Sequence, residues 1–128
     1  MMIEIEIGEN EIDLNSRGVE ARGGGGALVE FTGIVRDKEQ GRGISALRYE
    51  AYQPMAENQM RRILNDLGSE HPCLHVKVLH RIGLVPVGSA AIYIAVEAVH
   101  RAEAFALASG FMDRLKLDVP IWKTEAVA

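Results

Sequence analysis

Ala90-Ala91-Ile92-Tyr93-Ile94-Ala95-Val96-Glu97-Ala98-Val99 is the most apolar run of the chain, and it leads directly into His100-Arg101. A short, unbroken apolar run bounded by turn signals reads as a strand buried on both faces, so it belongs at the centre of a sheet. It has about half the ~20 residues needed to cross a bilayer, and it contains a charge at Glu97. On its N-terminal side, Leu74, Val76 and Val78 alternate in a neighbouring strand, and Val85-Pro86-Val87-Gly88 turns the chain between the two. On its C-terminal side, Phe105, Ala108, Met112 and Leu115 recur at helical spacing from about Arg101 to Leu117. Pro120 ends that helix and leaves Ile121 to Thr124 for a last short strand.

Farther out, Ile3, Ile5 and Ile7 alternate with Glu4 and Glu6, as in a half-buried strand. Residues 10 to 22 are polar, with room for a short helix, and four glycines at 23 to 26 then interrupt regular structure. Ala27 to Arg36 predicts a second strand with Ala27, Val29, Phe31 and Gly33 on one face, followed by a mobile loop from Asp37 to Ser45. Ala46 to Tyr52 predicts a third strand. Pro54 then opens a helix that carries Ala56, Met60, Ile63, Leu64 and Leu67 on one face and stops near Gly68. Strands outnumber helices and neighbours follow in hairpin-like order, which predicts an α+β fold with a mainly antiparallel sheet and two main helices.

The 128 residues are 48% hydrophobic and 25% charged, a balance that predicts one globular domain over 1–128. The net charge of −4 gives no support to nucleic-acid binding, and no run suggests a membrane span. The N-terminus lacks the basic start and apolar run of a signal peptide, and Cys73 is the single cysteine, so a reducing, cytoplasmic setting is expected.

Several motifs fail on their own chemistry. The four glycines are not followed by Lys-Ser or Lys-Thr, which excludes a P-loop. Gly41-Arg42-Gly43-Ile44-Ser45-Ala46 fits a loose dinucleotide pattern but leads into a strand, where that pattern must open a helix. The four histidines show no metal-ligand spacing, so no metal or cofactor is expected; His75 and His80 fall on opposite faces of their strand. Cys73 reads as a small buried hydrophobe.

What remains is a set of basic residues at element ends. Arg36 ends the second strand, and His100-Arg101 stands at the start of the long helix, where free N–H groups favour anions. Lys116 lies near the other end of that helix, and Lys123 follows Trp122. Helix-dipole and edge-strand roles explain Lys116 and Lys123 equally well, so composition alone leaves these residues open.

Their order along the chain says more. Phe31-Thr32-Gly33-x-Val35-Arg36, Tyr49-Glu50-x-Tyr52-x-x-Met55, His80-Arg81-Ile82-Gly83, His100-Arg101-x-x-Ala104-Phe105 and Met112-Asp113-x-Leu115-Lys116-x-x-x-Pro120-Ile121-Trp122-Lys123-x-Glu125 occur in sequence. Together they closely resemble the catalytic (large) subunit of molybdopterin synthase, from about residue 27 to 125. The resemblance implies an α/β hammerhead fold and a homodimer within a heterotetramer. In it, each end carries a small ubiquitin-like sulfur-carrier subunit that ends in Gly-Gly and bears a C-terminal thiocarboxylate. It implies sulfur transfer to cyclic pyranopterin monophosphate (precursor Z), which forms the molybdopterin dithiolene in molybdenum cofactor biosynthesis. Position by position, it implies catalytic roles for Lys116 and Lys123. It implies substrate contacts from Ile34, Val35, Arg36, His100, Arg101, Thr124 and Glu125 as well as from both lysines.

The implied chemistry suits these residues. Substrate phosphate and donor tail are both anions, so an acidic chain must gather cations locally, and Arg supplies fork-like phosphate contacts. Fifteen helical residues at about 1.5 Å each place Arg101 roughly 22 Å from Lys116. That is too far for both to reach one pterin in one chain, so a composite site is expected, with His100-Arg101 supplied by the dimer mate. Two departures stand out: Thr124 where a basic residue is common, and a sequence that ends at Ala128 where relatives commonly continue. These departures are expected either to weaken phosphate binding or to shift it to Arg101 and Arg114. A non-catalytic binding relative would be expected to lack Lys116 or Lys123, and both are present.

Overall fold

The computed structural model describes residues 1–13, 15, 19–21 and 23–128. Along the chain run β1 (Met2–Gly8), β2 (Ala27–Ile34), β3 (Lys38–Glu39), β4 (Arg42–Gly43), β5 (Ala46–Ala51), α1 (Gln53–Glu70), β6 (His75–Arg81), β7 (Gly83–Pro86), β8 (Ala90–Ala98), α2 (Arg101–Asp118) and β9 (Ile121–Val127). A four-stranded sheet has the order β1-β6-β8-β2, a three-stranded sheet the order β7-β5-β9, and β3-β4 forms a small hairpin. Only β1 and β6 pair in parallel; every other pairing is antiparallel. The fold is α+β with two main helices and mainly antiparallel sheets, as the sequence predicts.

All nine residues of β8 are buried, because three separate cores press on this one strand. Ile92, Ile94, Val96 and Ala98 face the main core with Val76, Val78 and both helices. Tyr93 and Ala95 face a second cluster with Ile12 and Val19, and Ala91 joins a third with Val35, Leu47 and Val85. A large apolar side chain contributes about 1.5–3 kcal/mol when fully buried, so this strand organises much of the folding free energy.

α1 buries Ala56, Met60, Ile63, Leu64 and Leu67, the face read from its spacing, but it runs past Gly68 to Glu70. α2 differs from expectation. It buries Ala104, Leu107, Ala108, Phe111 and Leu115, whereas Phe105 is 59% exposed and Met112 lies partly open. Apolar residues surround this helix, so spacing alone offers two competing faces, and packing against α1, β2 and β8 chooses between them.

Three other expectations change. Among the described residues of 10–22 there is no helix, and residues 14, 16–18 and 22 lie outside the described set. The second strand ends at Ile34 rather than Arg36, and the last strand extends to Val127. The segment expected as a mobile loop holds the β3-β4 hairpin, whose two-residue turn has Gln40 at φ 51° and Gly41 at φ 79°. Two successive positive φ values make the turn type that matches the twist of paired strands. The glycine run ends in a close approach: a side chain at Gly26 would begin 2.6 Å from the Val99 carbonyl oxygen, to which the Gly26 N–H donates at 3.2 Å. No helix among the described residues is long and apolar enough to cross a membrane.

Candidate functional site

A cleft of about 350 Å³ opens where the C-terminal end of α2 meets β9, β5 and the ends of β2 and β6. Two irregularities in strand pairing shape it. Gly33 pairs with Ile92 and Ile34 with Ala90, so Ala91 is the extra residue on β8. Tyr49 pairs with Lys123 and Arg48 with Glu125, so Thr124 is the extra residue on β9. Each bulge re-aims the residues beside it, and Ala91, Ile92, Tyr49 and Lys123 all line the cleft. Gly33 keeps the back wall open, since a Cβ there would sit 2.8 Å from Ile92 Cγ2.

Lys116 comes from the last turn of α2, where a cation also complements the helix dipole. Lys123 comes from β9, directly opposite Tyr49, and a cross-strand pair places its side chains on one face. Both lysines line the cleft together with Ile34. The Lys123 ammonium donates to Glu39 Oε2 at 3.2 Å, so the hairpin sets a carboxylate against a cleft lysine. Tyr49 ionises less readily than an ordinary tyrosine, first because it is partly buried and second because Glu39 is nearby.

The other residues singled out in the sequence lie elsewhere. Val35 is buried in the third core and does not line the cleft. Arg36 is exposed just beyond β2. Thr124 Oγ1 donates to the Arg48 carbonyl at 3.5 Å, and Arg48 Nε donates to Glu125 Oε1 at 3.2 Å, so both β9 residues hold β5. His100 caps α2 and Arg101 begins it, at the helix end opposite Lys116. One chain therefore brings Lys116, Lys123 and Ile34 together and leaves His100 and Arg101 about 22 Å of helix away.

Tyr49 and His80 in the cleft, and Glu39 paired with its Lys123, were not singled out as site residues in the sequence. Tyr49 and Lys123 become neighbours only through the Thr124 bulge, and Glu39 reaches the cleft only through the hairpin turn. His80 did leave a signal, because it continues the inward row of Val76 and Val78. It is 7% exposed, and burial lowers its pKa below the ordinary histidine value despite an opposing hydrogen bond to the Arg81 carbonyl. Cys73 is buried as expected, and burial together with Glu103 pushes its thiol up to about 11.

A second groove of about 400 Å³ adjoins the cleft and shares Phe31, Met112 and Lys116 with it. It runs between α2 and β2, the edge strand of the four-stranded sheet, past Val29 and the exposed Phe105.

The family model described as MoaE protein matches residues 7–118. The chain belongs to this family. Over 100 residues it is 47% identical to the molybdopterin synthase catalytic subunit of Homo sapiens, covering 78% of this chain and 53% of that protein. It is 42% identical to the protein of that name from Oryza sativa subsp. indica, covering 78% and 52%. The chain thus spans about half the length of these relatives. The X-ray structure of molybdopterin synthase from Staphylococcus aureus superposes with a TM-score of 0.87 at 35% identity, covering 96% of this chain and 90% of that one. A complex of subunits 1 and 2 of molybdopterin-converting factor from Helicobacter pylori 26695 shares the fold, with a TM-score of 0.73 at 20% identity and coverage of 98% and 88%. Membership of the MoaE family agrees with the resemblance read from the ordered motifs, and the cleft gathers the lysines of the last of those motifs.

Proposed function

We propose that this chain is the catalytic subunit of a molybdopterin synthase. It moves sulfur from the C-terminal thiocarboxylate of a small ubiquitin-like subunit to cyclic pyranopterin monophosphate, and two transfers build the dithiolene. The observation that carries this is the convergence of Lys116 and Lys123 in one cleft walled by Phe31, Ile92 and Trp122. Apolar walls with a few convergent polar groups suit a flat heterocycle, and two ammonium groups suit its phosphate and the anionic donor tail. Either lysine can donate or accept a proton where substrate excludes water. The donor belongs to the partner, since the chain's single thiol is buried and held protonated.

The active form is a homodimer inside a heterotetramer, and the site is composite. Two copies that set their α2-β2 grooves together across a two-fold axis perpendicular to α2 lay the α2 helices antiparallel. The His100-Arg101 end of one helix then lies beside Lys116 of the other, where its cations complete the phosphate site with Arg36, while Thr124 and Glu125 supply substrate contacts from β9. Ile34 carries the β2 end of the pocket, and the adjoining Val35 anchors it from the third core. The setting is the cytoplasm, where thiols stay reduced.

The test is single-turnover conversion of precursor Z by the chain and a thiocarboxylated small subunit, with wild type beside Lys116→Ala. Dithiolene product from wild type and little from the variant is expected. No product from a folded wild type that still binds the small subunit would instead make this a non-catalytic relative.

A further inference from the structure

Val76, Val78 and His80 form one inward row of β6, and the first two are fully buried beneath the helices. His80 lies where the helical cover runs out, so its imidazole takes the place in the cleft floor that the row would give to another valine.

The ring is held in one state. Nδ1 lies 2.9 Å from the Arg81 carbonyl oxygen, and because a carbonyl only accepts, Nδ1 carries the hydrogen. In the neutral imidazole Nε2 is then a bare acceptor, and among the described residues no chain group hydrogen-bonds to it. The Tyr49 ring meets His80 edge-on, with centroids 5.7 Å apart and planes at 69°, which restrains the imidazole plane. The titratable groups sharing the cleft are Tyr49 from β5, Lys116 from α2 and Lys123 from β9. β2 and β8 present only Phe31, Gly33, Ile34, Ala91 and Ile92. Glu39 acts through Lys123 and Tyr49, and a pocket on the other side of β6 brings Glu6, Glu11, Asp13 and Lys77 near His80. Of the other polar side chains lining the cleft, Lys116, Lys123 and Trp122 only donate and the Tyr49 phenol carries its own hydrogen, which leaves Nε2 as the acceptor without one.

We infer that His80 is a substrate-binding residue whose Nε2 accepts a hydrogen bond from a ring or amino N–H of the bound pterin and so sets the pterin's orientation against the two lysines. This deepens the proposed synthase function and rests on it. A pterin edge carries N–H donors that ammonium groups cannot satisfy, and a single well-placed acceptor fixes which edge points inward.

Asparagine and glutamine separate the two ring nitrogens. His80→Asn keeps a donor near Nδ1 for the Arg81 carbonyl and loses the acceptor. His80→Gln reaches the Nε2 position with an amide oxygen and loses the inner anchor. We expect His80→Asn to melt like wild type and to raise KM for precursor Z roughly ten-fold, the usual order for one lost hydrogen bond in a site. We expect His80→Gln to recover most of that loss. Wild-type kcat/KM should also fall at acid pH as Nε2 takes a proton and becomes a donor, and this limb should vanish in the asparagine variant.

Wild-type KM in His80→Asn, or a glutamine variant worse than asparagine, would overturn the inference, the latter by showing that only the anchor matters. If neither variant folds, the ¹⁵N spectrum of the wild-type imidazole decides. Addition of precursor Z should shift the Nε2 resonance, and an unmoved resonance overturns the inference. Wild type that binds precursor Z without turnover would overturn the synthase function alone, and the same resonance would still decide the role of His80. Wild type that does not bind it overturns both.

Discussion

Replacing Glu39 with glutamine removes the carboxylate paired with Lys123 while keeping its size. Its ion pair with Lys123 is 3.2 Å long, but the two side chains are 28% and 51% exposed. Exposed pairs of this kind contribute about 0–1 kcal/mol, so Glu39→Gln should lower the melting temperature by no more than a few degrees. Its effect on substrate should be larger. An anionic substrate entering beside Lys123 passes within roughly 6 Å of Glu39, where unit charges at an effective dielectric constant of about 40 repel by about 1.4 kcal/mol. Relief of that repulsion should lower KM for precursor Z up to ten-fold at low salt. The gain should shrink towards 1 M salt, where the screening length falls to about 3 Å. Initial rates at two ionic strengths give the answer, and a spectrophotometric titration should show one tyrosine, Tyr49, ionising at lower pH in the variant. A raised or unchanged KM at low salt would refute this, and would mean that Glu39 serves to hold Lys123 in place.

Other outcomes follow from packing and ionisation. Phe111→Ala, at a fully buried side chain between α2 and the main core, should cost about 3–5 kcal/mol in urea unfolding. Cys73 should resist iodoacetamide at pH 8 in the native protein and react once unfolded, because a thiol pushed up to about 11 holds almost no thiolate there. For His80 the folded pKa lies below the unfolded value of about 6.5, so the unfolded chain takes up the proton first. Its effect on stability is therefore nil above about pH 6.5 and grows as pH falls towards the folded pKa. Chemical denaturation from pH 7.5 to 5.5 should show a steeper loss in wild type than in His80→Asn.

The parts of this molecule that could be read beforehand are those governed by repetition. The buried face of α1 follows from the spacing of Ala56, Met60, Ile63, Leu64 and Leu67, and β8 from its unbroken apolar run. α2 could not be read so well, since Phe105 and Phe111 compete for the core and packing against α1, β2 and β8 separates them. In the cleft, Lys116 and Lys123 were legible through ordered motifs. Their polar neighbours were not, because Tyr49 meets Lys123 through one extra residue at Thr124, and Glu39 arrives on a two-residue turn. Single insertions and positive φ values leave almost no trace in a hydrophobic pattern.

The burial of β8 on every side makes the cleft lopsided in its tolerance for change. Ala91 and Ile92, which form its back wall, are 6% and 5% exposed and each also fills a core, so widening the cleft from that side would loosen the scaffold at the same stroke. The opposite wall is Trp122 and Lys123 on β9, a strand whose middle residues face solvent. New substrate preferences can therefore be grafted onto β9 and the hairpin at little risk to folding, while β8 serves as the keel against which any such redesign must be fitted.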